Sequence, residues 1–128
     1  MDFAEKIFAT TFFVSDLEDS KEFYAKVFEK TLIFEDPNSA VFKFGDTLIN
    51  LLEQREAPSL ISPAVVATKE SGSRFQFTIQ VKNVDSQVKR LTSLGITLIN
   101  GPIDRPWGIR TFLIADPDGH LWEFAEVL

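Results

Sequence analysis

Two stretches of the chain carry the same succession of apolar and polar positions. Residues 6–14 alternate, with Phe8, Phe12 and Val14 on one phase and Ala9, Thr11 and Phe13 on the other, the period-two pattern of a half-buried strand. Ser15-Asp16 then offers capping oxygens to a stretch with Leu17, Phe23, Tyr24, Val27 and Phe28 at helical spacing. Short β-type runs follow at 31–35, 40–44 and 48–53, parted by Asp36-Pro37-Asn38-Ser39 and by Gly45-Asp46. The predicted order is βαβββ over residues 1–56. Residues 57–74 mix Pro58, Pro63, Ser71, Gly72 and Ser73 with the apolar patch Ala64-Val65-Val66-Ala67, which suits a partly packed linker. The order then repeats over 75–128. A strand is predicted at 75–81, and a helix at 83–94 with Val84, Val88, Leu91 and Leu94 on one face and Gly95 at its end; strands follow at 96–100, 110–115 and 121–127.

The repeat is visible residue by residue. Val14-Ser15-Asp16-Leu17 superposes on Val81-Lys82-Asn83-Val84 at a spacing of 67, and the Gly45 turn falls on the Gly119 turn at a spacing of 74, the second module being lengthened by the loop from Pro102 to Gly108. The pattern predicts an α+β protein of two tandem βαβββ modules within a single domain.

The most informative local feature is the run ADPDGHLWEF from Ala115 to Phe124. Asp116-Pro117-Asp118-Gly119 has the chemistry of a tight reversal, because Pro presets φ, Asp bonds nearby backbone and Gly accepts positive φ. On the following strand Leu121, Glu123 and Ala125 share a face, opposite Trp122, Phe124 and Glu126. A carboxylate among aliphatic neighbours either decorates an edge or lines a pocket. In the second case desolvation disfavours its charged form and makes Glu123 a candidate general base. His120, the only histidine, lies inside the turn and is expected to face solvent or a turn neighbour rather than a ligand. Phe8, Phe12, Phe23, Phe28, Phe75, Phe77 and Phe124 occupy core-facing phases, whereas Phe13 falls on the more polar face beside Thr11.

Composition narrows the function classes. The 128 residues include 45% hydrophobic and 25% charged positions, ordinary for one globular domain. A net charge of −6, with no basic run longer than Lys89-Arg90, gives no footprint for nucleic acid or an anionic membrane. With no cysteine, disulfides, thiolate catalysis and zinc-thiolate sites are excluded, which is compatible with a cytoplasmic location. The apolar start at 7–14 is too short and Thr-rich for a membrane span or signal peptide.

The duplicated βαβββ order, with VSDLEDSKEFY after the first strand and ADPDGHLWEF at the end, resembles the vicinal oxygen chelate superfamily, which includes glyoxalase I, extradiol dioxygenases, fosfomycin-modifying enzymes and bleomycin-resistance proteins. The resemblance covers nearly the whole chain. It implies a curled mixed sheet around a concave cleft, a ligand or divalent metal in that cleft, and a homodimer. It places the metal-ligand positions of glyoxalase-like relatives at Ala9, Asn50, Gln76 and Glu123. Ala9 offers no donor, so a divalent metal would depend on Asn50, Gln76 and Glu123, one carboxylate and two weak amide donors. The resemblance therefore favours no metal cofactor. It implies metal-independent binding of a small organic molecule, as in bleomycin-resistance-like proteins. The alternative is a divalent-metal-dependent lyase, isomerase or dioxygenase of the glyoxalase type.

The loop Arg105-Pro106-Trp107-Gly108-Ile109-Arg110 supplies further candidates. Trp107 between Pro and Gly can stack on a planar ligand or plug an end of the sheet, and Arg105 and Arg110 are available for an anion. The expected ligand-binding set is Phe13, Asn50, Gln76, Trp107, Arg110 and Glu123.

Overall fold

The computed structural model describes residues 2–128. The chain divides into two compact units, Met1–Thr68 and Lys69–Leu128. In the first, β1 (Ala9–Val14), α1 (Leu17–Phe28), β2 (Leu32–Asp36), β3 (Ser39–Phe44) and β4 (Thr47–Glu53) form a sheet of order β1-β4-β3-β2. β1 runs parallel to β4 and the other neighbours are antiparallel. A short helix α2 (Pro58–Ile61) follows, started by a proline whose missing N–H costs nothing at a helix N-terminus. In the second unit, β5 (Gln76–Gln80), α3 (Val84–Ser93), β6 (Asn100–Arg105), β7 (Ile109–Ala115) and β8 (Leu121–Val127) form a sheet of order β5-β8-β7-β6. β5 is parallel to β8.

The helix starts follow from local chemistry. Asp16 Oδ1 accepts from Asp19 N at 3.1 Å, and Asn83 Oδ1 accepts from Ser86 N at 2.8 Å, so both helices use a side-chain cap at positions 67 residues apart. The second has an additional anchor, since Glu126 Oε1 on β8 accepts from Val84 N at 2.7 Å. That bond satisfies a backbone N–H which the helix itself leaves open and places negative charge at the positive end of the helix dipole.

Helices α1 and α3 each cover one face of the sheet in their own unit. In the first unit Phe12, Val14, Ala40, Phe42, Ile49 and Leu51 meet Leu17, Phe23, Tyr24, Val27 and Phe28, all buried. Tyr24 lies 5.9 Å from Phe12 and stacks on Phe28 at 5.5 Å. In the second unit Phe112 stacks on Phe124 at 4.6 Å and Phe77 on Trp122 at 4.8 Å, beside buried Val84 and Leu91. Apolar burial of this kind is the dominant favourable term of folding.

Three expectations are corrected here. Phe8 and Phe75 are exposed by 72% and 63%, because they precede the first paired residues of β1 and β5 and so lie outside the helix-covered stretch. The strand expected at 96–100 lies instead at Asn100–Arg105, across Pro102. A proline there is accommodated because β6 is an edge strand and its pairing with β7 is irregular between Asn100 and Ile103. Gly101 makes the crossing feasible, since at φ +92° a Cβ would stand 2.5 Å from the Thr111 carbonyl oxygen.

Candidate functional site

Alternation leaves each sheet with a face turned away from its helix, and the polar candidates gather there. In the first unit β1 aligns Ala9, Thr11 and Phe13 with Leu48, Asn50 and Leu52 of β4. Asn50 Nδ2 donates to Thr11 Oγ1 at 3.3 Å. In the second unit β5 and β8 align Gln76 with Leu121, Thr78 with Glu123 and Gln80 with Ala125. Thr78 Oγ1 donates to Glu123 Oε1 at 3.0 Å. The two rungs are equivalent, with Thr11 and Thr78 separated by 67 positions, and Asn50 and Glu123 by 73. Each sheet therefore carries a Thr-bonded polar group between its parallel strands, with aliphatic neighbours along β4 (Leu48, Leu52) and along β8 (Leu121, Ala125). The threonines escape a search for charged ligands, although the 67-residue repeat pairs them.

Glu123 reaches this face because the turn before β8 sets its register. Asp116, only 5% exposed, uses Oδ1 to accept from Asp118 N at 2.9 Å and His120 N at 2.8 Å. Its Oδ2 meets His120 Nδ1 at 2.8 Å, so the single histidine is held inside the turn. A slip of one residue would send Glu123 to the helix side.

The two arginines of the β6–β7 region are separated by register. Arg110 pairs with Asp104, and Thr111 with Ala125. Arg110 lies on the helix side, where Nε contacts Asp104 Oδ1 at 2.6 Å and Nη1 contacts Asp85 Oδ2 at 3.3 Å. The hydrogen bond and charge of Asp104 raise its pKa further. The placement expected for Arg110 among ligand-facing residues is corrected accordingly, because both neighbouring carboxylates already hold the guanidinium. Arg105, paired with Ile109, lies on the open face and donates Nε–H to the Thr111 hydroxyl at 3.0 Å. Trp107 stands in the turn after β6, closed by Gly108 N to Arg105 O at 3.1 Å, and is 69% exposed. Phe13 and Asn50 are half-buried on the open face of the first sheet, and Gln76 is exposed at the start of β5.

The side chains at the expected metal positions are the Ala9 methyl, which offers no donor, the Asn50 and Gln76 amides and the Glu123 carboxylate. Among the described residues no three His, Asp or Glu side chains cluster with metal-binding geometry. Zinc, nickel or iron sites draw on imidazole, thiolate or carboxylate donors, so this set does not fit a catalytic ion of that kind.

Residues 6–124 match the family model described as Glyoxalase/Bleomycin resistance protein/Dioxygenase superfamily. The chain is 32% identical over 110 residues, 85% of its length and 82% of the relative's, to a protein named phenazine antibiotic resistance protein EhpR from Enterobacter agglomerans. It is 27% identical over 113 residues, 88% of its length and 76% of the relative's, to metallothiol transferase FosB from Lysinibacillus sphaericus. A crystal structure of a glyoxalase/bleomycin resistance protein/dioxygenase from Nocardioides superposes at a TM-score of 0.86 with 24% identity, covering 100% of this chain and 87% of that one.

Proposed function

From the premise that this chain belongs to the glyoxalase/bleomycin resistance protein/dioxygenase superfamily, we propose that it binds a planar aromatic small molecule on an open sheet face and does so without metal. The observation that carries this reading is the pair of threonine-anchored rungs. Asn50 lies between Leu48, Leu52 and Val41, and Glu123 between Leu121, Ala125 and Leu113, a mixture of a few polar groups with apolar neighbours that suits an organic ligand, and neither belongs to a converging ligand triad. The similarity to a phenazine antibiotic resistance protein supports a fused-ring ligand class. Trp107 supplies an exposed stacking surface. Glu123 Oε2 is the acceptor for a ligand N–H or O–H, because Oε1 already takes the Thr78 hydroxyl. Gln76 is assigned as a further contact on the second sheet, and Phe13 and Asn50 as ligand contacts on the open face of the first.

The proposal includes a homodimer and a cytoplasmic location. Exposed Phe3, Ile7, Phe8 and Phe75 support the first as apolar surface that association would cover. The lack of cysteine supports the second. Among the described residues no helix is long and apolar enough to cross a membrane.

The test combines calorimetric titration of phenazine into wild type and Trp107→Ala with elemental analysis and thermal melts in Mn, Ni, Zn, Fe(II) and Mg. Saturable binding weakened by Trp107→Ala, with no metal-dependent rise in melting temperature, is expected. Near-stoichiometric metal, with a melting shift lost in Glu123→Ala, would replace the reading with a metal-dependent lyase, isomerase or dioxygenase, since a ligand of the native state raises its melting temperature.

A further inference from the structure

Arg105 is the one cation that register places on the open face of the second sheet, and its surroundings differ from those of Arg110 on the opposite face. Arg110 is committed to Asp104 and Asp85. Arg105 is half-buried, and among the described residues its single polar partner is the hydroxyl of Thr111, itself fully buried. With Nε donated to that hydroxyl, the remaining bidentate edge of the guanidinium is the Nη1/Nη2 pair. That edge matches a carboxylate in geometry and charge.

Glu123 does not neutralise it. Arg105 is level with Ile109 and Glu123 with Leu113, so the two sit four residues apart along β7 and on strands either side of it. At about 3.3 Å per residue and about 4.8 Å per strand, their Cα atoms stand roughly 16 Å apart, beyond the combined reach of the side chains. A permanently charged group has been partly removed from water and fixed by a buried hydroxyl without an internal counter-ion. Its location in a chain of net charge −6 also makes it a local exception to a field that repels anions.

We infer that Arg105 is the anion-receiving residue of the ligand site and that the ligand is an aromatic carboxylate, its acid group at Arg105. The aromatic part rests on the function proposed above; the carboxylate part rests on Arg105 and Thr111 alone. Thr111 is then a positioning residue, acting through Nε.

The experiment is calorimetric titration with phenazine-1-carboxylate and phenazine-1-carboxamide, matched in shape and different in charge, against wild type, Arg105→Gln and Thr111→Val. It is paired with NMR observation of the Arg105 Nε–Hε resonance during titration with benzoate and benzamide. Wild type is expected to favour the acid by tenfold or more. Arg105→Gln should erase that preference, with a cooperative thermal melt showing that the variant is folded. Thr111→Val should weaken the acid alone. Equal affinity for acid and amide in wild type, or a preference that survives Arg105→Gln, overturns the inference and leaves the aromatic-binding function standing. If neither phenazine binds but benzoate alone shifts the Arg105 resonance saturably, the fused-ring reading falls and the anion site stands. If benzoate also leaves the resonance unmoved, both fall.

Discussion

Replacement of Asp116 probes how the turn sets the site. Its carboxylate accepts from two backbone N–H groups and meets the His120 ring, all within 2.9 Å, while the residue is only 5% exposed. Asp116→Ala removes the Oδ1 acceptor of Asp118 N and His120 N in a half-buried turn. Hydrogen bonds to a charged group contribute about 1.5–3 kcal/mol each, and partial access of water to the vacated turn recovers some of that, giving an expected loss of about 2–4 kcal/mol. Asp116→Asn retains a carbonyl oxygen for both backbone donors and should cost about 1 kcal/mol. Urea denaturation followed by Trp122 fluorescence reads the difference directly, since Trp122 is 2% exposed, stacks on Phe77 and lies on the strand that the turn launches. Equal damage from the two variants, or an alanine variant within about 0.5 kcal/mol of wild type, would refute the claim that the Asp116 acceptor oxygens hold the turn. In a surviving Asp116→Ala protein, ligand affinity should fall with stability, because register is what delivers Glu123 to the open face.

Ser20 is fully buried and among the described residues its hydroxyl has no hydrogen-bond partner, so Ser20→Ala should stabilise the first unit by about 1 kcal/mol in the same denaturation assay. Gly101→Ala should destabilise by at least about 2 kcal/mol, because a Cβ at φ +92° meets backbone at 2.5 and 2.7 Å; a neutral melting curve would contradict this packing. Asp104 is held below its ordinary pKa of 3.8, first by the Arg110 hydrogen bond. A depressed folded-state value stabilises above the ordinary one and is lost as pH falls through the folded value. The stability gap between wild type and Asp104→Asn should therefore be level from pH 7 to 5 and narrow below 3.8, checked by denaturation midpoints at several pH values.

Several parts of the architecture are legible in local sequence because their causes are local. Caps at Asp16 and Asn83 need only a side-chain oxygen three residues before a free N–H, and alternation from Leu121 to Val127 already assigns Trp122 and Phe124 to one side and Glu123 to the other. β6 was obscured by Pro102, since a proline weakens a strand reading unless the strand is known to lie at an edge. Phe8 and Phe75 carried the correct phase but stood beyond the ends of the packed region. Phase reports which side a residue faces and not whether anything covers it.

The sequence by itself determined the twofold βαβββ order, the helix starts and the turn chemistry before β8. Tertiary structure decided which charges are already spent. Arg105 and Arg110 are five positions apart in one loop-like stretch, yet pairing with Ile109 and Asp104 puts them on opposite faces, one against a buried hydroxyl and the other between two carboxylates. The physical reason is that a sheet's faces and partners are fixed by registration with strands distant in sequence, and a charge is available to a ligand only where that registration leaves it without a counter-ion.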